Sequence, residues 1–499
     1  MRVLHAAAEL YPWVKSGGLG DVVAALPPAL AAAGLDIRLL LPGFTAFLDA
    51  LDEITDIARL STPYAGERVR LTRARLPPNP ARAARGGPEK GGLAVYLVDH
   101  PPFYDRPGGP YADPEGRDWP DNHRRFGLLG WVAAALAQGA DPQWRPHILH
   151  AHDWHAGLAP AYLAARPGAE APVPSVLTIH NLAYFAAFPA VAFADLALPP
   201  AFFSIEGVEF YGQVSFLKAG LYYADRLTTV SPTYAREIQT AEFGCGFDGL
   251  LRSRAGALSG ILNGVDPRIW NPQRDRVLPR PYGIKDAAAG KAEAKADLQR
   301  RLGLAERPQA PLFGAVSRLT PQKGLDLVLA VLPALAAQGA QLALLGSGDG
   351  DLEAGYARAA ETQRGSVGVA LGYDEDLAHR IIAGCDVILV PSRFEPCGLT
   401  QLYALRYGSL PLVRRVGGLA DTVVDADAVA LAEDRATGFA FGGDTVEALA
   451  AAIARTLALY RQPALWRQVM RRAMRQDFSW NTAARQYLAL YRELVPQPA

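Results

Sequence analysis

The sequence predicts an α/β protein built from two doubly wound domains, and three observations predict it. Apolar runs of strand length alternate with helical stretches through the first half of the chain, the same alternation restarts in the second half, and the stretch between the two series breaks the periodicity. At 499 residues the chain is also too long for one ordinary core and suits two domains of comparable size.

The first series opens with the strand VLHAAAE, which runs into a loop carrying KSGGLGD. VVAALPPALAAAG follows as a helix that tolerates a proline pair, and DIRLLLP is the next strand, completing a strand-loop-helix-strand unit of the parallel kind. GLAVYLVD is a further strand, HILHAHD another ahead of the helical WHAGLAPAYLAA, and VPSVLTIHN and ADRLTTVS continue the series. ILNGVDPRIWNPQRD, rich in Asn, Pro and Asp, has the composition of a linker or hinge. The second series starts at PLFGAVSRL and runs through QLALLG, VGVALG, DVILVPS and LPLVRR, with helical segments between them. The Arg-, Gly- and Ala-rich span 82–90 reads as a surface loop, the Ala-rich run 287–296 as helix, and FSWNTAARQYLALYREL as a terminal helix. The predicted divisions are therefore 1–250, 251–477 and a closing helix within 478–499.

Composition excludes several function classes. Half of the residues are hydrophobic and a fifth are charged, which fits a packed globular chain and not an extensively disordered one. Lys plus Arg equals Asp plus Glu, so the net charge is zero and no global field draws the chain to nucleic acid or to an anionic membrane. Any anion it binds must be held by a local site. Cys245, Cys385 and Cys397 have neither zinc-site nor disulfide-framework spacing, which predicts reduced thiols in a cytoplasmic protein. Glu9 interrupts the opening apolar run, so MRVLHAAAEL reads as a buried strand and not as a signal segment. No stretch holds the roughly 18 uninterrupted apolar residues of a membrane span.

Three loops carry the chemistry. In KSGGLGDV a bare backbone between strand and helix lets N–H groups approach a phosphate, with the helix N-terminus adding partial positive charge and Lys15 a full one. The pattern is neither G-x-G-x-x-G nor a P-loop, and a tight strand-to-helix turn accounts for the glycines equally well. In SRLTPQKG, Arg318 and Lys323 flank a turn just after a strand and can face one diphosphate together, Arg as a fork and Lys as a point charge. Two solvated surface cations are the alternative. In SRFEPCGLTQLYAL, Glu395 precedes Pro, Cys and Gly ahead of a helix that begins near Leu399. A sharp turn there points a carboxylate at sugar hydroxyls and leaves the N–H groups of Gly398, Leu399 and Thr400 for an anion, whereas the alternative has Glu395 capping its own helix. Open α/β sheets bind ligands at the carboxyl ends of their strands, which would bring the loops to one ligand across an interdomain cleft.

KSGGLGDV, HAHDWHAGL, TIHNLAY, NGVDPRIWNP, SRLTPQKG and SRFEPCGLTQLYAL together resemble the bacterial glycogen synthases and the related plant starch synthases, and the motifs occur in order over most of the chain. The resemblance implies a GT-B fold: two Rossmann-like doubly wound domains facing a deep cleft, the nucleotide held mainly by the C-terminal one and the acceptor glucan lying along the N-terminal one. It implies transfer of glucose from ADP-glucose to the nonreducing end of an α-1,4-glucan, with retention at the anomeric carbon and with neither metal nor cofactor. Lys15 with Gly17 and Gly18 looks like the family's donor-diphosphate loop, Arg318 and Lys323 look like its diphosphate clamp, and Tyr373 is similar to the tyrosine that stacks on adenine. Glu395 looks like the carboxylate facing the transferred glucose, and Asp153 and His180 like the N-terminal groups near its ring. Glu9, Tyr96, Asn181, Asn263 and Cys397 lie in stretches that the resemblance ties to substrate binding. The terminal helix is implied to cross back onto the N-terminal domain, with opening and closing hinged there and near Asn263–Asp266.

The chemistry asks for these residue types. Breaking the bond from the anomeric carbon to phosphate builds positive charge on the sugar and negative charge on the departing diphosphate. Arg318, Lys323, Lys15 and helix N-termini meet the second charge, and Glu395 with a backbone carbonyl near His180 meets the first. A single carboxylate near the sugar does not fit the paired carboxylates of most glycosidases, so front-face attack is the favoured route to retention. His150, His152 and His155 crowd around Asp153, but a helix follows His152 and no matching ligand cluster appears elsewhere, so structural and sugar-contact roles are favoured over a metal site. Asp349 and Asp351 read as a turn. Two departures from expected patterns stand out: Tyr403 occupies the place where many retaining GT-B enzymes carry a second glutamate, which fits the glycogen synthase branch, and FAAFP follows TIHNLAY where bacterial relatives usually have a glutamine and a glycine. A UDP-glucose-dependent synthase and a non-catalytic glucan- or sugar-nucleotide-binding protein are the competing readings; a glucan phosphorylase lacks its cofactor-lysine segment here.

Overall fold

The structure, a computed structural model, describes residues 1–51, 53–64, 68–77, 92–165 and 173–495, so the predicted loop 82–90 lies outside the described residues. The chain divides into two compact units, Met1–Gly264 with Trp480–Ala499, and Val265–Ser479.

In the first unit the described strands are β1 (Arg2–Ala6), β2 (Asp36–Pro42), β3 (Thr55–Ser61), β4 (Arg68–Arg75), β5 (Ala94–Asp99), β6 (Ile148–His152), β7 (Ser175–Ile179), β8 (Ala187–Pro189), β9 (Glu209–Phe210), β10 (Gln213–Ser215), β11 (Arg226–Thr229) and β12 (Leu258–Gly260). Among the described residues nine of them form one sheet, ordered β12-β11-β7-β6-β1-β2-β5-β4-β3, while β8, β10 and β9 make a small separate one. Every pair from β12 to β5 is parallel, and the β5–β4 and β4–β3 pairs are antiparallel, so β4 alone runs against the rest. All residues of β6 and β7 are buried, as strands covered on both faces must be. Their alternation feeds two cores. Leu4, Leu149 and Leu177 join one with Phe126, whereas Val3, Ile148 and Val176 join another with Leu26 and Leu30 of the helix Gly18–Ala32 and Tyr487 of the helix Trp480–Leu494.

The second unit holds β13 (Leu312–Val316), β14 (Gln341–Gly346), β15 (Val367–Leu371), β16 (Val387–Val390), β17 (Leu410–Arg414) and β18 (Phe439–Phe441). They pair in parallel in the order β15-β14-β13-β16-β17-β18, which is the 3-2-1-4-5-6 order of a nucleotide-binding sheet.

The boundary expected at 250 moves to Gly264–Val265 because β12 lies beyond 250 and pairs with β11, extending the first sheet. The expected break after 477 moves to Ser479 for a similar reason: Val265 bridges to Ser479 and its N–H bonds the Phe478 carbonyl, tying both residues to the second unit. The Asp349 carboxylate caps the helix Gly350–Thr362 by accepting from the N–H groups of Asp351 and Leu352. Among the described residues no helix is long and apolar enough to cross a membrane.

Candidate functional site

In the second unit the chain leaves the sheet centre in opposite directions between β13 and β16, and ligands bind at such a switch point. The loop after β13 carries Arg318 and Lys323, and the loop after β16 carries Ser392 and Glu395. Gly324 locks the two together. It sits at φ +65°, and a Cβ there would lie 2.2 Å from the Pro391 carbonyl oxygen. The Arg393 N–H bonds the Gln322 carbonyl, and the Arg393 guanidinium forks onto Asp326 at 2.8 and 2.7 Å.

This frame brings Lys323 Nζ to 2.6 Å from Glu395 Oε2, and Ser392 Oγ donates to the same oxygen at 2.9 Å. Glu395 is buried. The helix Thr400–Tyr407 starts after Leu399 with no side-chain cap, so the capping alternative for Glu395 is overturned. The N–H groups of Gly398, Leu399 and Thr400 make no backbone hydrogen bond within the described residues, while the Gln401 amide holds the carbonyls of Cys397 and Gly398 at 2.9 and 3.0 Å. Carbonyls held inward by Gln401 leave N–H groups in an arrangement that can accept an anion. Lys323, Ser392, Glu395, Gly398 and Thr400 line one pocket. Cys397 is buried in the turn beneath it, where Gly417 and Gly418 approach so closely that a Cβ would lie 1.9 Å from the Glu395 oxygen and 2.2 Å from the Cys397 oxygen respectively. Arg318 is exposed on the first loop, and Tyr373 stands 77% exposed between β15 and the helix Glu375–Gly384, its hydroxyl on Glu375 at 3.1 Å. Tyr403, in the place of the second glutamate, stacks on Trp270 at 3.8 Å, and Trp270 stacks on His379 at 3.7 Å.

In the first unit the order reverses between β1 and β6; Glu9, Lys15, Gly17 and Gly18 follow β1, Asp153 follows β6, and His180 and Asn181 follow the neighbouring β7. Glu9 was expected to bind substrate, but it is buried and its carboxylate is spent on the glycine loop: Oε2 accepts from Ser16 N at 2.9 Å, and Oε1 from Ser16 Oγ and the Tyr111 hydroxyl at 2.6 Å each. Lys15 is exposed, paired with Asp21 at 2.9 Å. A Cβ on Gly17 or Gly18 would meet nothing within 4 Å, whereas one on Gly20 would lie 3.3 Å from the Val14 oxygen. Packing within the chain therefore explains the third glycine and not the first two. Tyr96, also expected to bind substrate, is fully buried within β5 with its hydroxyl on Asp141 at 2.6 Å and bonded to Arg38, where it supports the sheet.

Asp153 follows β6 at φ +52°, an uncommon conformation for a residue with a Cβ. Its Oδ1 accepts from His180 N at 2.7 Å, and burial pushes its carboxyl up to about 8 against the opposing pull of the His180 and Asn181 N–H groups. Asn181 turns the chain by accepting from Ala183 N at 3.1 Å, and Asn263 is buried just beyond β12. The histidine cluster is not the one the sequence suggested. His155 stacks on Tyr111 at 4.8 Å, and His5 from β1 takes its place: His5, His150 and His152 are fully buried with their ring nitrogens within 4.8 Å, the one metal-capable group among the described residues.

A model of the starch synthase catalytic domain matches residues 2–253, and one of glycosyl transferases group 1 matches residues 300–473. The glycogen synthase of Leptothrix cholodnii is 55% identical, covering 99% of this chain and 100% of that one, and the glycogen synthase of Francisella philomiragia is 50% identical with the same coverage. The chain belongs to the glycogen synthase family. The solved catalytic domain of starch synthase IV from Arabidopsis thaliana, bound to ADP and acarbose, is 30% identical with a TM-score of 0.86 over 99% of both chains. Sucrose-phosphate synthase from Thermosynechococcus elongatus, 19% identical with a TM-score of 0.59, shares the fold. The fold is the two-domain GT-B glycosyltransferase fold.

Sequence reasoning missed four contributors. Ser392 and Tyr111 position carboxylates; Ser392 opens the SRFEPCGLTQLYAL motif but its type alone did not mark it, and Tyr111 lies in no such motif. The Gly417–Gly418 pair was legible as a dipeptide that punctuates the chain, yet only the fold shows which loop it lets in. His5 was hidden inside an apolar strand.

Proposed function

We propose that the chain is a retaining glucosyltransferase that moves glucose from ADP-glucose to the nonreducing end of an α-1,4-glucan. Glucosyl transfer in glycogen synthesis is the activity of the family it belongs to; ADP as the nucleotide and the residue roles below are the proposal. The observation that carries it is the Lys323–Glu395 pair set beside the outward N–H groups of Gly398, Leu399 and Thr400 at the β13/β16 switch point, a cation and an anion cradle next to one buried carboxylate.

That combination suits a diphosphate joined to a sugar. Lys323, Arg318 and the cradle take the charge that grows on the departing ADP, and Tyr373 offers an exposed ring to the base. Within the first unit, Lys15 and the open backbone of Gly17 and Gly18 offer a further place for an anion. Glu395 faces the sugar. Asp153 accepts from the His180 and Asn181 N–H groups, and because a trans peptide points its C=O opposite the following N–H, this fixes the His180 carbonyl outward, where it can oppose positive charge at the anomeric carbon. In front-face transfer the anomeric carbon–phosphate bond breaks, the acceptor hydroxyl oxygen bonds to that carbon on the same face, and its proton passes to a donor phosphate oxygen.

The test is transfer of labelled glucose to glycogen with ADP-glucose and UDP-glucose compared at equal concentration in the presence of EDTA. Strong transfer from ADP-glucose is expected. A preference for UDP-glucose overturns the nucleotide assignment, and ADP-glucose binding without transfer from either donor makes the chain a binding protein. A glucosyl adduct on Glu395 or Asp153, trapped with a slow donor and seen by mass spectrometry, sinks front-face attack.

A further inference from the structure

The buried histidines of the first unit form a continuous hydrogen-bonded chain that the proposed chemistry does not use. Strand register builds it: β1 sets His5 beside His150, β6 sets His152 beside Thr178, and β7 sets Thr178 beside Thr228. From one end, Thr228 Oγ1 lies 2.6 Å from Thr178 Oγ1, which lies 2.6 Å from His150 Nε2. His150 Nδ1 is 2.6 Å from the Tyr491 hydroxyl on the helix Trp480–Leu494, and that hydroxyl is 3.4 Å from His5 Nε2. His5 Nδ1 is 3.0 Å from His152 Nε2, and His152 Nδ1 is 2.9 Å from His180 Nε2. His180 follows β7, beside Asp153.

Each neutral imidazole carries one N–H and one lone pair, and each hydroxyl carries one proton. A chain in which every inner atom faces a neighbour therefore has two self-consistent arrangements, all protons pointing one way or all the other. Burial drives His150 and His152 well below the usual histidine range and His5 and His180 down to about 3, so the rings stay neutral and their tautomers are what can vary. Thr228 decides between the two. Among the described residues its fully buried hydroxyl has Thr178 as its one side-chain partner, and a buried O–H left without an acceptor costs more than an idle lone pair. Thr228 therefore donates to Thr178, Thr178 to His150, His150 to Tyr491, Tyr491 to His5, His5 to His152, and His152 to His180 Nε2. The remaining proton of His180 sits on Nδ1.

We propose that this chain, closed at a buried hydroxyl, holds His180 as its Nδ1–H tautomer, a hydrogen-bond donor toward a sugar oxygen. The inference rests on the glucosyltransferase reading for what His180 faces, but not for the tautomer itself. Tyr491 makes the terminal helix part of the catalytic unit's chemistry. Metal binding is the competing use of these rings. His150 and His152 are stacked, with centroids 4.4 Å apart and planes 18° apart, which sets their lone pairs side by side and not at a common point, and every ring nitrogen of His5, His150 and His152 already faces a neighbour.

The experiment is ¹⁵N NMR of the full chain labelled at histidine, with His180 assigned by comparison with His180→Asn. In the native chain, pyrrole-type Nδ1 and pyridine-type Nε2 are expected for His180. Thr228→Val makes Thr178 the buried hydroxyl with His150 as its one side-chain partner, so the His180 tautomer should be unchanged. His152→Ala removes the donor to His180 Nε2 and opens that nitrogen to water, so both tautomers should populate and kcat should fall about tenfold with the donor KM unchanged. If His152→Ala fails to fold, the native assignment still decides. A His180 tautomer unmoved by His152→Ala, or a pyrrole-type Nε2 in the native chain, overturns the proposal, as does stoichiometric zinc that survives EDTA dialysis. Altered tautomers in a chain that transfers no glucose would leave the relay standing and sink the functional reading instead.

Discussion

Glu395 is the residue on which most depends, because it is at once a buried charge and the partner of another charge. Lys323 neutralises it at 2.6 Å, and Ser392 takes a share of the same oxygen. Glu395→Gln keeps the shape and the Ser392 contact but leaves Lys323 without its counter-charge. The expected result is a loss of transfer on the order of a hundredfold, with ADP-glucose binding retained or tightened, because Lys323 becomes free for the diphosphate. Transfer kinetics and calorimetric titration of the donor check this, and binding lost in parallel with transfer would place Glu395 on the nucleotide and not on the sugar.

At the scale of elements, the loop ahead of the helix Gly18–Ala32 separates ligand demands from packing demands. Gly20 is confined by Val14, whereas Gly17 and Gly18 face open space in the chain itself. Gly17→Ala and Gly18→Ala should leave the melting temperature unchanged and raise the donor KM roughly tenfold, the worth of one charge-assisted hydrogen bond. Gly20→Ala should lower the melting temperature. A drop in thermal stability for Gly17→Ala would return that glycine to the tight-turn explanation. Much of this architecture was legible in the sequence. DIRLLLP is β2 residue for residue, and the buried parallel strands announce themselves as short apolar runs. The antiparallel pair β3 and β4 was not read, because TDIARLS and RVRLTRAR carry charges on the exposed face of a sheet edge and break the apolar run. The three candidate loops were legible because Gly, Lys and Arg punctuate strand ends. The roles of Glu9 and Tyr96 were not, since burial and partners are properties of the fold: one carboxylate anchors a loop, and one phenol lies inside the sheet.

For the whole molecule, the same burial that builds the relay sets the pH dependence of stability. His5, His155 and His180 are held down to about 3, and His150 and His152 well below their usual value, all by burial. A group whose folded pKa is lowered lets the unfolded chain bind the proton first, so stability is lost as pH falls from about 6.5 toward 3. Asp153 has the opposite sign. With its carboxyl raised to about 8, the folded state holds a proton that the unfolded chain releases near pH 4, and its contribution is lost as pH rises toward 8. Between pH 4 and 6.5 five histidines oppose one carboxyl and win, and between 6.5 and 8 Asp153 acts alone among these six. Lys291, lowered to about 8 by burial, begins to matter only above that window. Stability should therefore peak near pH 6.5, with the melting temperature falling by roughly 10 °C on going to pH 5 and more gently toward pH 8. Asp153→Asn keeps an acceptor for the His180 N–H and removes the titration, so it should flatten the alkaline side and leave the acid side intact. Calorimetric melts from pH 4.5 to 8 distinguish the two arms, and a melting temperature that stays level from pH 6.5 to 5 would mean that the buried imidazoles take up protons in the folded chain, which neither their burial nor their hydrogen-bonded chain allows.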